Sequence, residues 1–180
     1  MNRINVIIDL LEQNQPVYYT STSNLSYENG VKMAQTWADY IRLDTEHGPF
    51  NIAGIREFME GLIAGGSTKS GHRSPAVIAE LPFDAHSKEV VINNSWMIKQ
   101  LLACGIHGII LCHVESPEAV KTFVEAARYP FHKQEVGNGL GEGRRGNGGQ
   151  KNASKIWGVS PTDYLKIADP WPLNPKGCLL

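Results

Sequence analysis

Hydrophobic positions along the chain fall into short runs that switch between two periods, and the switching predicts the elements. Ile4, Val6, Ile7, Leu10 and Leu11 recur at helical spacing, so Met1 to Leu11 opens the chain as an amphipathic helix. Pro16 precedes Val17-Tyr18-Tyr19-Thr20, a β-branched and aromatic run that suits a strand. Ser26, Asn29 and Gly30 then lead into a short helix over Val31 to Trp37, with Val31, Ala34 and Ala38 on one face. A second strand spans Asp39 to Asp44 and ends in Thr45-Glu46-His47-Gly48-Pro49. Asn51 is placed to cap a helix reaching about Ala64, with Ile52, Ile55, Phe58, Met59 and Leu62 as its apolar stripe. Gly65 to Ser74 is polar and glycine-rich, a loop, and Ala76 to Leu81 is a third strand stopped by Pro82. A helix over Trp96 to Cys104 ends at Gly105. His107 to Cys112 is nearly unbroken apolar sequence, the signature of a strand buried on both faces of a parallel sheet. Ser116 and Pro117 open another helix, with Val120, Phe123, Val124 and Ala127 as its inner stripe.

Strands alternating with helices at about 30-residue spacing mean repeated βαβ units, hence an α/β protein with a parallel sheet. Cys178-Leu179-Leu180 has the look of a fifth strand beginning. A closed (β/α)8 TIM barrel needs eight strands and about 250 residues. The pattern therefore predicts a single partial barrel domain over 1–180, truncated near the start of strand five. Within it, 131–160 is expected to be a Gly-rich loop. Four strands and a stump would leave an edge of unpaired backbone groups.

Composition narrows the function classes. The 180 residues are 42% hydrophobic and 19% charged, with a formal charge of −1 and scattered basic residues, so neither nucleic acid nor a membrane surface is an expected partner. No apolar run approaches the roughly 20 residues of a membrane span. Asp9 and Glu12 interrupt the first segment, which does not read as a signal peptide. Cys104, Cys112 and Cys178 lack metal or redox spacing and read as buried free thiols of a cytoplasmic protein.

Candidate chemistry collects at strand ends, where α/β proteins build their sites. Asp44 and His47 close the second strand, near enough along the chain for the carboxylate to accept an imidazole N–H and fix its tautomer. Such a pair is a general base tuned for neutral pH; the bland alternative is a His that caps the following helix or stands in solvent. His113 and Glu115 follow the fourth strand, the first facing the mouth or structural, the second favouring a helix start. Gly137 to Gly149 contains a literal GxGxxG. No strand precedes it and no apolar helix follows, so a dinucleotide cradle is not expected. A mobile loop over the mouth, in which Arg144 and Arg145 bind a carboxylate, competes with a plain flexible linker.

Three stretches carry a resemblance: DYIRLDTEHGPF (39–50), GIHGIILCHVESPEAVKTFVEAARYP (105–130) and DYLKIAD (163–169). In order and spacing, from about Gln15 on, the chain resembles the HpcH/HpaI aldolase family of the pyruvate/phosphoenolpyruvate barrel superfamily, in its N-terminal portion. The resemblance implies a class II, metal-dependent carbon–carbon lyase. It would cleave or form 4-hydroxy-2-keto acids to or from pyruvate and an aldehyde, with His47 and Asp44 handling protons. A divalent metal (Mg, Mn or Co) would hold the 2-keto acid, its ligands expected beyond Leu180, so the chain alone would be inactive. Family members carry Arg at the end of strand three, where this chain has Glu80; Arg73, Arg128, Arg144 or Arg145 are the candidates to replace it in substrate binding. A homo-oligomer is expected of the full-length protein. A citrate lyase or malyl-CoA lyase-like enzyme and a non-catalytic half-barrel are the alternatives.

Overall fold

A computed structural model describes residues 3–180. Four strands, β1 (Tyr19–Thr22), β2 (Tyr40–Leu43), β3 (Ala76–Glu80) and β4 (Gly108–Ile110), form one sheet in the order β1-β2-β3-β4, every pair parallel. Helices connect them: α1 (Val6–Glu12) precedes β1, then α2 (Tyr27–Met33), α3 (Ile52–Ala64), α4 (Lys88–Ala103) and α5 (Pro117–Ala127) follow the strands in turn. A 3-10 turn (Asn147–Gly149), α6 (Gln150–Trp157) and α7 (Pro161–Ile167) complete the chain. The expected α/β class is observed. The sheet is open, as four strands must be. Leu180 lies alongside β4, its N–H donating to His107 O at 3.0 Å and its carbonyl accepting from Ile109 N at 2.9 Å. The last residues thus occupy the place expected of a fifth strand.

Strand alternation sends side chains to two different environments. Ile41, Leu43, Val77 and Ala79 point to the helical layer, where they join Ile55, Phe58, Leu62, Ile98 and Leu101 in the main core. Ala76 and Ile78 point the other way, against Val6 and Ile7 of α1 together with Tyr40, Ile110 and Leu180. Asn5 caps α1 and ties it to the sheet, its side-chain amide donating to His107 O and Cys178 O at 3.1 and 3.2 Å. α1 therefore covers the second face near the strands' amino ends, which leaves the carboxyl ends of that face for polar groups. Of the opening helix expected over Met1 to Leu11, Met1 and Asn2 lie outside the described residues, and the helix itself begins at Val6.

Several element boundaries depart from expectation. α2 begins at Tyr27, capped by Ser26, rather than at Val31. Its Gly30, expected just before the helix, lies within it and crosses α3 so closely that a Cβ there would overlap the Phe58 carbonyl. Val31, expected on the inner face, is exposed. α4 starts eight residues before Trp96, capped by Ser87. In α5 the buried positions are Ala119, Thr122, Ala126 and Ala127, while Val120 is exposed. The segment 131–160 is not all loop. α6 closes it, a mostly polar helix that nonetheless buries Ala153, Ile156 and Trp157, where a loop is expected.

Candidate active site at the carboxyl ends of the strands

β2 delivers Asp44 and His47 to the rim, and the turn that follows folds them onto each other. The His47 N–H donates to Asp44 Oδ1 at 2.9 Å, and His47 Nδ1 lies 3.0 Å from both carboxylate oxygens. This geometry assigns the proton to Nδ1 and leaves Nε2 as a lone-pair base facing outward. The Asp44 side chain is 25% exposed and that of His47 75%, so the carboxylate is the fixed partner and the imidazole the accessible one. Asp44 sits below the usual carboxylate range, first because it accepts the His47 backbone N–H and then the imidazole. The Asp44 hydrogen bond raises the His47 pKa above its ordinary value.

Arg42 and Glu80 are the other charges here, on the face shared with Tyr40 and Ile78. Arg42 Nη1 donates to Glu80 Oε1 at 3.0 Å, and Nη2 lies 4.0 Å from Asp44 Oδ2. The guanidinium carbon stands 5.7 Å from the Tyr19 ring centroid, across β1. Arg42 Nε and Glu80 Oε2 are both buried without a partner. Thr45, fully buried, donates its hydroxyl to the Glu80 carbonyl and pins the β2 loop to the end of β3. Neighbouring this group, His113 Nε2 meets Glu46 Oε1 at 2.6 Å, with Asp84 Oδ1 at 3.7 Å. That bond holds Glu46 below its ordinary pKa and links the loops after β2 and β4. Glu115 is exposed and sits outside this network.

The three expected substrate arginines lie elsewhere. Arg128 is buried, with Nε and Nη2 on Asp169 at 2.8 and 3.1 Å and Nη1 on the Gln134 carbonyl at 2.8 Å. That ion pair, with Asn174 also donating to Asp169, ties the end of α5 to the segment after α7. Arg145 is buried between Tyr129 and Tyr164, and Arg144 is exposed. Arg73 donates to the Ile156 carbonyl. None of these four touches Asp44 or His47. Arg42 does stand at the rim, and strand alternation signals it: Tyr40, Arg42 and Asp44 share one parity. All three cysteines are free and buried; burial pushes the Cys112 thiol up to about 11, so it is no nucleophile.

Two groups of side chains bring metal-ligating atoms together, Asp44/His47/Glu80 and Glu46/Asp84/His113. The first does not fit a resident cation, because Arg42 already lies against Glu80 and near Asp44, and a divalent ion would have to displace it. In the second, Glu46 already occupies His113 Nε2.

No family model matches the chain. Among curated proteins it is 31% identical over 110 residues to a hydroxypyruvate/pyruvate aldolase from Roseobacter denitrificans, covering 61% of this chain and 32% of that protein. Among solved structures it superposes on an HpcH/HpaI aldolase/citrate lyase family protein from Burkholderia cenocepacia with a TM-score of 0.61 and 20% identity, covering 85% of this chain and 51% of that one. An HpcH/HpaI aldolase from Desulfitobacterium hafniense gives 0.58 and 19%, over 89% and 51% of the two chains. The chain thus resembles a hydroxypyruvate/pyruvate aldolase in part of its sequence and HpcH/HpaI aldolases in fold. It spans about a third of the length of that curated relative and about half of these two solved chains. Against such an aldolase, the open four-stranded sheet corresponds to part of a TIM barrel, with the Asp44/His47 pair at the carboxyl ends of its strands.

Proposed function

We propose that the whole protein is a carbon–carbon lyase that releases pyruvate and an aldehyde from a 4-hydroxy-2-keto acid, with His47 as its general base. The observation that carries this is the Asp44–His47 contact, which engages Nδ1 and leaves Nε2 as the lone-pair nitrogen of the neutral ring on an exposed side chain. In the cleavage direction Nε2 takes the proton of the C4 hydroxyl, the C3–C4 bond breaks to give the aldehyde, and its electrons become the pyruvate enolate. The imidazolium then returns a proton to C3. Asp44 holds the ring and favours its charged form during transfer. Arg42 is the cation for the keto-acid carboxylate, with Glu80 holding its guanidinium in place until substrate arrives.

A divalent metal (Mg, Mn or Co), held by residues beyond Leu180, belongs to this reading; when bound it would stabilise enolate charge. The rim residues present do not supply its site, so no step is derived through it. A homo-oligomer and a cytoplasmic setting belong to the same reading; among the described residues no helix is long and apolar enough to cross a membrane.

The test is pyruvate release by the whole protein across a panel of 4-hydroxy-2-keto acids with each of the three metals. Release from at least one supports the reading, and no release from any, by folded metal-supplemented protein, would sink it. Activity restricted to CoA-linked substrates would favour the citrate lyase-like alternative instead.

A further inference from the structure

The amino ends of the strands hold a second set of reactive groups, at the opposite end of the sheet from the rim. Thr68 to His72 form the turn before β3, and Asp9 lies on α1. Ser70 Oγ stands 2.9 Å from His72 Nδ1, and across the ring His72 Nε2 stands 3.5 Å from Asp9 Oδ2. Hydroxyl, imidazole and carboxylate thus follow one another in the order that activates a serine, with the two ring nitrogens in exchanged roles.

The surroundings assign the protons. His72 is buried, and its Nε2 makes no hydrogen bond among the described residues, so the Asp9 carboxylate is the group that favours a ring proton there. Nδ1 then carries the lone pair that accepts the Ser70 hydroxyl. The turn is held by its own bonds: Thr68 N–H donates to the His72 carbonyl at 2.9 Å, Gly71 N–H to the Thr68 carbonyl at 3.0 Å, and His72 N–H to Thr68 Oγ1 at 3.1 Å.

Ser70, unlike His72, is exposed, and it borders a cleft of about 300 Å³ together with Val6, Trp37, Ala38, Thr68 and Lys69. Trp37 is 76% exposed, so an aromatic group entering this cleft meets an indole. The Ser70 N–H donates to no backbone carbonyl among the described residues, which leaves a donor on the nucleophile's own residue for a developing oxyanion.

We propose that Ser70 is the nucleophile of a second, acyl-transfer site that takes small aryl esters, with His72 as its base and Asp9 as the positioning residue. Ser70 Oγ adds to the acyl carbon while its proton passes to His72 Nδ1; the C–O bond to the aryl group breaks, and the leaving oxygen takes that proton. Water, deprotonated by His72 in turn, adds to the acyl-serine, releases the acid and restores the hydroxyl. The site is independent of the lyase reading and stands or falls separately.

Steady-state hydrolysis of 4-nitrophenyl acetate by the protein, with peptide mass spectrometry of acid-quenched samples, tests it. Nitrophenolate release should saturate with ester, and the acetyl group should map to Ser70. Ser70→Ala, a change at an exposed turn position, should lower kcat by about 100-fold or more, and His72→Gln, if circular dichroism shows it folded, should do the same. Asp9→Asn should lower kcat about tenfold with KM unchanged. His86→Ala, at an exposed histidine outside the cluster, should change nothing. Release that does not saturate, acetyl groups on Lys69 in place of Ser70, or equal kcat in wild type and Ser70→Ala would each overturn the proposal.

Discussion

Arg42 and Glu80 meet across two neighbouring strands, Nη1 to Oε1 at 3.0 Å, on the sheet face that also carries Asp44. The contact sets the charge at the rim. Glu80 satisfies one edge of the guanidinium and leaves Nε unmatched, so an incoming carboxylate competes with Glu80 for Arg42. Glu80→Gln removes that competitor, and KM for the keto acid should fall severalfold with little change in kcat. Arg42→Met should raise KM tenfold or more. It should also cost about 3–5 kcal/mol of stability, because Glu80 is left as a nearly buried, unpaired charge. Steady-state kinetics with urea unfolding of both variants separates the two effects; equal KM values in wild type and Arg42→Met would remove Arg42 from substrate binding.

The titration of His47 follows from its partner. With its pKa raised by Asp44, the imidazole becomes a free base only above its ordinary range near 6.5, so the acid limb of the pH–rate profile should lie above that value. Asp44→Asn removes the carboxylate and should move both the limb and the NMR titration midpoint of His47 downward. A midpoint that stays put would show that the contact does not hold in solution.

His107 predicts the acid stability of the fold. It is buried, accepts the Val77 N–H at Nδ1 at 3.1 Å and stacks on Trp157 with ring centroids 5.7 Å apart. Burial, reinforced by His72, lowers its pKa to about 4. Between that value and about 6.5 the unfolded chain binds the extra proton, so the stabilisation is present above 6.5 and lost as pH falls toward 4. Urea midpoints should fall over that window by the equivalent of about 3 kcal/mol, at 1.36 kcal/mol per pKa unit. His107→Leu should flatten the dependence while costing about 1–3 kcal/mol at neutral pH for the orphaned Val77 N–H. A wild-type profile flat over the window would contradict the assignment.

Arg128 is expected to act on folding. Its bidentate pair with fully buried Asp169 makes Arg128→Ala destabilising by about 3–5 kcal/mol. Thermal unfolding checks this; a loss below about 1 kcal/mol would mean that the pair is solvated.

Much of this was legible from period and caps. The β2 rim pair, the Asn51 cap, the Ser116–Pro117 start and the parallel sheet all follow from local chemistry that tertiary packing leaves in place. What the pattern missed was set by partners far along the chain. Gly30 reads as part of the lead-in to a helix at Val31, whereas it lies inside α2 with α3 pressed against it. The first half of α4 is held by its Ser87 cap and buried Val91 despite two adjacent asparagines. α6 hides because only Ala153, Ser154, Ile156 and Trp157 turn inward from a polar octapeptide. Arg128 and Arg145 are expected to bind substrate, but Asp169 holds the first and two tyrosine rings enclose the second. Arg42 has one signal in the sequence, the strand parity it shares with Asp44.

The central claim, that His47 moves protons at a carbon next to a carbonyl, is tested most directly by solvent exchange. Whole protein, metal-supplemented and incubated with pyruvate in deuterium oxide, should exchange the C3 protons in an NMR time course. His47→Ala should slow that exchange by about 100-fold or more, the usual span of a general base. Equal exchange rates in the two proteins would contradict it.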